Sequence, residues 1–228
     1  MNLKYISLFL LASTLTSNAG FSQTATNSKI SKSNHLIDSQ HFNLKSYPEN
    51  QENLKLFIQN LINFAMNTLN GPESDDTKKS RIKAILDHSF DISGISDFVL
   101  GKFNKSLTAS QKSEFQVLFK EYLLGFYANV VKLYNGQAAS ITKISKDNDQ
   151  NLYLVLVDII NNNNANLSVQ YVIRYKNSKF VILDAISQNL SFVNTLKSQF
   201  SSILGETNGF ENLKSFLKVS DPKKLRSK

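Results

Sequence analysis

The hydrophobic pattern of this chain changes period near Asn135-Gly136, and this change restricts the fold more than any other feature. Before it, apolar residues recur every three or four positions, which indicates helices; after it they alternate with polar residues, which indicates strands. A helical pattern returns at about residue 191. Helices, then strands, then helices predict an α+β fold in which one face of an antiparallel sheet packs against the helices.

The same periodicity predicts the individual elements. Helices are expected at about residues 48–69, from about 74, and at 92–100, 109–134, 191–204 and 209–217. Strands are expected at about 139–144, 151–160, 167–175 and 180–185, and their hairpin spacing favours a four-stranded antiparallel sheet. Thr108 and Gln111 have the T-x-x-Q spacing of a capping box, which predicts the start of the longest helix.

The longest predicted helix is apolar on most of its circumference. Its main stripe at helical spacing consists of Phe115, Phe119, Tyr122, Phe126 and Leu133, with further apolar residues on both sides. Such a helix is either buried between other elements or lines a cavity for an apolar ligand, and periodicity does not separate the two. The strand NLYLVLVDII, residues 151–160, is also apolar on both faces, so either face is a candidate cavity wall.

Residues 1–19 have the features of a signal peptide. Lys4 precedes an apolar run of about ten residues, and Ser17 and Ala19 have the spacing of a cleavage site. A helix needs about 20 apolar residues to span a bilayer, so this run is too short. The chain contains no cysteine, which removes disulfides and an acylated anchor. We expect export to the periplasm, or else secretion, with a flexible lead-in at 20–47, one domain at 48–218 and a basic tail at 219–228.

Charge favours anionic partners. The chain has 26 Lys and Arg residues against 18 Asp and Glu residues, a formal net charge of +8, of which the signal peptide carries only Lys4. These bases are scattered, without the clustered arginines and interleaved aromatic residues of a nucleic-acid-binding face. We therefore expect no nucleic-acid partner, and membrane surfaces or acidic proteins remain as candidates.

Groups for catalysis or metal binding are scarce. The three histidines are His35, His41 and His88, which lack the spacing of metal ligands. Asp75 and Asp76 lie in the predicted first turn of a helix, where carboxylates complement the helix dipole. No nucleophile elbow, P-loop or dinucleotide-binding fingerprint is present. Asp184, at the end of an apolar strand, is the one suggestive acid, and we expect no enzyme activity, metal or cofactor.

Two blocks of the chain show ordered motifs. Residues 99–137 contain, in order, Leu100-Gly101, Phe103, Thr108, Gln111, Phe115, Phe119, Tyr122, Tyr134 and Gly136. Residues 171–200 contain Tyr171, Asp184, Ser191, Gln199 and Phe200, and Phe90-Asp91 precedes both blocks. In this order and spacing, the motifs resemble those of the MlaC or toluene-tolerance auxiliary family of periplasmic phospholipid-binding proteins, over about residues 50–218. Phe180 stands where the family usually has Trp, and Asn189 where it has Gly.

The resemblance implies a fold similar to the NTF2-like class with an added helical lobe, enclosing an apolar cavity. It implies a carrier without catalytic residues that moves phospholipid between an outer-membrane lipoprotein–porin complex and an inner-membrane ABC transporter with an MCE-domain protein. We expect the carrier to be a monomer. Candidate lipid-binding residues, assigned by alternation and helical spacing, are Phe98, Phe119, Tyr122, Phe126, Leu154, Leu156, Val169, Tyr171, Ile173, Leu183, Leu190 and Val193.

Two other functions remain open from the sequence. An interaction module would bind another envelope protein through its sheet and basic surface, with a filled core and no ligand. An NTF2-like enzyme is disfavoured because the predicted strands carry no histidine and no pair of acids, and Asp184 is the residue that would test it.

Overall fold

The computed structural model describes residues 47–133, 138–160 and 166–219, and the side chains of the longest helix as far as Phe126. The predicted signal peptide, the lead-in before Tyr47, the turn at 161–164 and the tail beyond Val219 lie outside the described residues, as do Tyr134, Gly136 and the side chain of Leu133. No helix in the described ranges is long and apolar enough to cross a membrane.

Six α-helices are present in these ranges, close to the predicted positions. They are α1 (Gln51–Asn70), α2 (Asp75–Ser89), α3 (Ile92–Leu100), α4 (Ala109–Leu133), α5 (Phe192–Leu204) and α6 (Gly209–Val219), and a 3₁₀ turn covers Gly101–Lys105. The capping box of α4 is confirmed: the Gln111 backbone N–H donates to Thr108 Oγ1 at 3.2 Å, and the Thr108 N–H donates to Gln111 Oε1 at 2.9 Å. Each bond satisfies a backbone donor that has no partner within the helix.

The sheet has five strands rather than the predicted four. In the order β1-β2-β3-β4-β5, antiparallel throughout, they are β1 (Ala138–Asp147), β2 (Leu152–Ile160), β3 (Asn166–Lys176), β4 (Lys179–Ser187) and β5 (Leu190–Ser191). The four-strand prediction was wrong because two residues are too few to show an alternating pattern. β5 forms because Gln188 and Asn189, with φ of 50° and 61°, turn the chain back onto the end of β4.

The inner face of the sheet packs against α1. On β2 this face carries the buried residues Tyr153, Val155, Val157 and Ile159, which alternate with half-buried residues of the outer face. Leu54, Phe57 and Ile58 of α1 lie in one cluster with the first three of them. The Phe57 and Phe180 rings, 5.9 Å apart between centroids, join α1 to β4.

A second hydrophobic core lies within the helices. α4 contributes Phe115 and Phe119, whose rings stack at 5.4 Å, and the Phe200 ring of α5 meets both edge-on at 5.9 and 6.0 Å. Edge-to-face contacts align the positive ring edge with the negative face of its neighbour. This helical core and the core between α1 and the sheet are separate clusters, and Phe90 packs against both. The boundary between them is called the seam below.

Candidate functional site

Two helices of the helical core begin at β4. The Asp91 N–H donates to the Ile182 carbonyl at 3.1 Å, and Asp91 Oδ1 caps α3 by accepting from the Gly94 N–H at 3.2 Å. Ser191, which pairs with Ile186 of β4, caps α5 by accepting from the Asn194 N–H at 3.0 Å. α3 and α5 therefore both leave from the edge of β4, and the seam lies where they do so.

The edge of β4 is open between these two attachments. Phe90 bridges to Ile182, and β5 begins to pair only at Ile186, so residues 183–185 have no strand on that side. A small apolar pocket of about 20 Å³ lies against this gap. Its walls are Phe90, Ile95, Leu123, Leu183, Asp184, Ala185, Phe192 and Val193. That volume holds about one water molecule, so the pocket marks the seam without being large enough for an acyl chain.

A β-bulge in β4 brings the polar side chain of Asp184 to this apolar pocket. The register of β3 with β4 shifts from Val172↔Asp184 to Ile173↔Ile182, which leaves Leu183 as the extra residue. Because a bulge re-aims the side chains around it, Leu183, Asp184 and Ala185 all reach the pocket instead of alternating away from it.

Asp184 links β4 to the start of α5 through its carboxylate. Oδ2 accepts from Ser191 Oγ at 2.6 Å, and Oδ1 accepts from the N–H groups of Ala185 at 2.8 Å and Val193 at 3.1 Å. Burial raises the pKa of Asp184 above its usual value, while the hydrogen bonds from Ser191 and Val193 act in the opposite direction. Asp184 stood out in the sequence as the one suggestive acid, and in the structure its hydrogen bonds anchor the start of α5 to β4.

Two tyrosines place hydroxyls in apolar surroundings. Tyr171 lies on the inner face of β3, and Tyr122 lies in the helical core, where its ring stacks on Phe119 at 6.5 Å. Burial raises the pKa of each phenol to about 12, so both stay protonated at physiological pH. Neither hydroxyl donates a hydrogen bond to any residue in the described ranges.

The predicted wall residues fall into separate groups. Leu183 and Val193 line the seam pocket. Phe119 and Tyr122 are buried in the helical core, and Phe126 packs on Phe192 with ring centroids 5.6 Å apart. Phe98 and Leu190 lie at the surface, 42% and 52% exposed.

The remaining wall residues, which were predicted from strand alternation, lie on opposite faces of the sheet. Val169, Tyr171 and Ile173 lie on the inner face, where Val169 and Ile173 are fully buried. Leu154 and Leu156 pair with Val172 and Gln170 on the outer face and are half-buried. These two groups therefore do not line one cavity, and Ile173 belongs to the core with α1.

The pocket also has walls that the sequence did not single out. They are Phe90, Ile95, Leu123, Ala185 and Phe192. The Phe90-Asp91 pair and the apolar residues beside the main stripe of α4, which include Leu123, were visible as patterns, but neither pattern indicates what the side chain faces. Ala185 and Phe192 gave no signal, because their position depends on the bulge and on β5.

Within the described ranges, no group of three or more His, Cys, Asp or Glu side chains is arranged to hold a metal ion.

A family model described as MlaC protein matches residues 59–218, which is most of the chain. The chain belongs to the MlaC family. This confirms the resemblance seen in the two sequence blocks.

Other proteins resemble this MlaC-family chain over shorter or more distant matches. The toluene tolerance protein ttg2D of Pseudomonas putida is 26% identical over 124 residues, which cover 54% of this chain and 57% of that protein. The chain thus matches little more than half the length of this relative. A phospholipid-binding protein from Ralstonia solanacearum, solved in complex with a phospholipid, superimposes with a TM-score of 0.64 at 18% identity, covering 75% of this chain and 98% of that one. The second match shows that the fold is shared.

Proposed function

We propose that this protein is a periplasmic phospholipid carrier whose acyl chains occupy the seam between the helical core and the sheet. The observation that carries the proposal is the apolar pocket at the seam, lined from both sides in a chain of the MlaC family. A protein of the same fold has been solved with a phospholipid, which supports this ligand class. Each methylene transferred from water into such a site contributes about 0.8 kcal/mol, so the tails supply most of the affinity.

Loading requires the seam to widen. The pocket of about 20 Å³ accommodates no acyl chain, so the helical core must move away from β4 when lipid enters. Because the helical core and the core around α1 are separate clusters, such a movement disrupts contacts at the boundary and leaves each cluster packed. The enclosed apolar cavity, in a fold similar to the NTF2-like class, belongs to this widened state.

The tyrosines offer the polar contacts that a lipid needs. The Tyr171 hydroxyl is a protonated donor on the inner sheet face, where Tyr171 packs against a small cluster of Ile159, Val169 and Ala185. An ester carbonyl of a phospholipid accepts hydrogen bonds and cannot donate them, so it is the lipid group that fits this hydroxyl donor. Asp184 is already engaged by three donors and has a structural rather than a catalytic role.

Family membership supports a proposal for the cellular role. We infer that the protein is exported by a cleavable signal peptide and receives and delivers lipid at an outer-membrane lipoprotein–porin complex and an inner-membrane ABC transporter with an MCE-domain protein. The scattered positive charge, +8 over the whole chain, suits acidic surfaces on such partners and on membranes. The carrier acts without catalysis and as a monomer.

Native mass spectrometry of the chain recovered from a bacterial periplasm tests the carrier function. We expect a mass increase equal to one phospholipid on part or all of the protein. An unmodified mass that persists after incubation with phospholipid vesicles, in a folded sample, would contradict the proposal and favour an interaction module with a filled core.

A substitution in the pocket tests the location of the lipid. Ala185→Leu fills the pocket from the β4 side, at a cost of about 1–3 kcal/mol for overpacking, and should lower the fraction of lipid-bound protein. Ala84→Leu makes the same chemical change on α2, away from the pocket walls, and should leave the lipid content unchanged. Equal lipid content in both folded variants would place the ligand elsewhere.

A further inference from the structure

One exposed phenylalanine, one half-buried phenylalanine and three lysines lie on one surface of the helical core. This aromatic–lysine patch consists of Phe98, Lys102, Phe103, Lys105 and Lys197. Phe98 is 42% exposed, an unusual exposure for a phenylalanine, and Lys197 Nζ lies 4.5 Å from the centre of its ring. Lys102 Nζ lies 5.1 Å from the centre of the Phe103 ring. Each ammonium group is held by the ring quadrupole, which fixes cations beside apolar surface.

The backbone assembles the patch from two elements. Gly101 ends α3 with a φ of 54°, a conformation that favours glycine, and the chain then forms the 3₁₀ turn that carries Lys102, Phe103 and Lys105. A side chain at Gly101 would also approach Lys197 of α5, its Cβ lying 3.1 Å from Lys197 Cε. The turn is therefore seated directly against α5.

The patch is next to the seam. Phe98 lies one helical turn after Ile95 on α3, and Lys197 lies one turn after Val193 on α5. Ile95 and Val193 are both walls of the seam pocket. Because residues three or four apart share a helix face, the patch continues the pocket-lining faces of both helices towards the surface.

No ion pair within the described residues neutralises the lysines of the patch. Lys102, Lys105 and Lys197 take part in no ion pair within the described residues, whereas Lys83, Lys120, Lys176 and Lys214 are each paired with a carboxylate. Asp97 is the one acid in residues 97–105, and its carboxylate accepts a hydrogen bond from Asn104 Nδ2 at 3.2 Å. The patch therefore presents a net positive charge around exposed aromatic surface.

We propose that the aromatic–lysine patch docks the protein onto bilayers that contain anionic phospholipid. Aromatic rings favour the interface between headgroups and acyl chains, and lysines beside them are attracted to the negative surface. The inference extends the proposed carrier function, since docking here would bring the seam to the membrane from which lipid is taken. It is testable separately, because binding to a vesicle surface requires no cargo.

Cosedimentation with vesicles measures the charge dependence. The exported chain should bind vesicles of phosphatidylcholine mixed with phosphatidylglycerol and bind phosphatidylcholine vesicles much more weakly. Lys102→Gln with Lys105→Gln should weaken binding to the anionic vesicles by about 25-fold, since each lysine near an anionic surface contributes about fivefold. The matched control is Lys143→Gln with Lys179→Gln, two exposed sheet lysines without an ion pair in the described ranges, and should change binding by less than about twofold.

A fluorescence measurement reports which surface meets the bilayer. The chain contains no tryptophan, so Phe98→Trp introduces a single fluorophore. Its emission should shift to shorter wavelength when anionic vesicles are added. Val117→Trp, at a residue 62% exposed on α4, should show no such shift.

The outcomes separate this inference from the carrier function. Equal weakening by the two lysine pairs, or a shift at position 117 and none at 98, would overturn the docking surface. Absence of vesicle binding would also overturn it and would favour an acidic protein as the partner of the patch. If native mass spectrometry still finds phospholipid in a chain that fails these tests, the carrier function stands and only the docking surface falls. Retained cargo in the Lys102→Gln, Lys105→Gln variant, together with weaker vesicle binding, would support both.

Discussion

Asp184 shows how one carboxylate ties two layers of the molecule together. It stands on the bulged segment of β4 and accepts three hydrogen bonds, two of them from Ser191 and Val193 at the start of α5. A carboxylate in this place also complements the positive end of the helix dipole. Since the same side chain lines the seam pocket, the anchor of α5 and the wall of the candidate lipid site are one residue.

Asp184→Asn should weaken this anchor. The amide has one acceptor oxygen and replaces the other with a donor, so at least one of the bonds from Ser191 and Val193 is lost, at a cost of about 1–3 kcal/mol. Urea unfolding at neutral pH measures the change. Asp149→Asn, on an exposed residue between β1 and β2, is the control and should change stability by less than about 0.5 kcal/mol.

The difference in unfolding free energy between the wild type and Asp184→Asn should depend on pH, and the pKa shift gives the sign. Burial raises the pKa of Asp184, so the native state takes up a proton at higher pH than the unfolded chain does. The native state then binds more protons in the window above the ordinary pKa of 3.8, and the contribution of Asp184 to stability falls as pH rises through that window. The stability advantage of the wild type over Asp184→Asn should thus be larger in acid than at neutral pH. An advantage that grows with pH would show that the hydrogen bonds outweigh burial.

At the scale of elements, neighbouring residues set the start of α4, whereas its apolar surface contacts several distant parts of the fold. Its start is set by the Thr108 and Gln111 side chains, which exchange hydrogen bonds with each other's backbone. Apolar side chains on several sides of α4 make contacts. Phe115 and Phe119 contact Phe200, and Tyr122 contacts Phe216. Leu123 lines the seam pocket. The broad apolar circumference thus has two uses, core packing and one wall of the seam.

Thr108→Ala should destabilise the protein by about 1 kcal/mol, because the Gln111 N–H loses its acceptor at the helix start. The free energy of unfolding in urea is the measurement. Ser113→Ala, on the exposed surface of the same helix, should be neutral or slightly stabilising because alanine has the higher helix propensity. If the two variants were equally stable, the capping box would contribute nothing to this fold.

At the scale of the whole molecule, two hydrophobic cores meet at a boundary held largely by β4. Ile182 and Asp184 hold α3 and α5 by hydrogen bonds, Phe90 packs against both cores, and a pocket remains where the edge of β4 is unpaired. Under the proposed function, a ligand enters by separation at this boundary, since dense packing resists entry elsewhere.

Removal of bound lipid should therefore lower the melting temperature. A ligand that binds only the native state stabilises it, and for a chain of this size each kcal/mol corresponds to about 2–4 °C. Calorimetry before and after delipidation measures the shift, and adding phospholipid back should restore it. The Ala185→Leu variant, which we expect to carry less lipid, should shift less. Identical melting temperatures with and without lipid would contradict a buried ligand.

Much of the secondary structure was predictable because its signals are local. The strand predicted at 180–185 and the helix predicted at 92–100 correspond to β4 (Lys179–Ser187) and α3 (Ile92–Leu100), since each period is set by the exposure of one element. Thr108 and Gln111 are three residues apart and bond to each other's backbone, so their role required no information from elsewhere. The MlaC-family motifs were readable for a similar reason, as they are ordered along the chain.

What only the tertiary structure decided is which surfaces meet. Leu154 and Tyr171 both alternate as apolar strand residues, yet they lie on opposite faces, because the register with the neighbouring strand and the docking of α1 select the inner face. Asp184 and Ala185 reach the same pocket only because of the bulge against β3. The sequence by itself determined the helices, the four longer strands and the family, through periods and spacings within short segments. The seam, its pocket and the aromatic–lysine patch arise from contacts between distant segments, which no local period encodes.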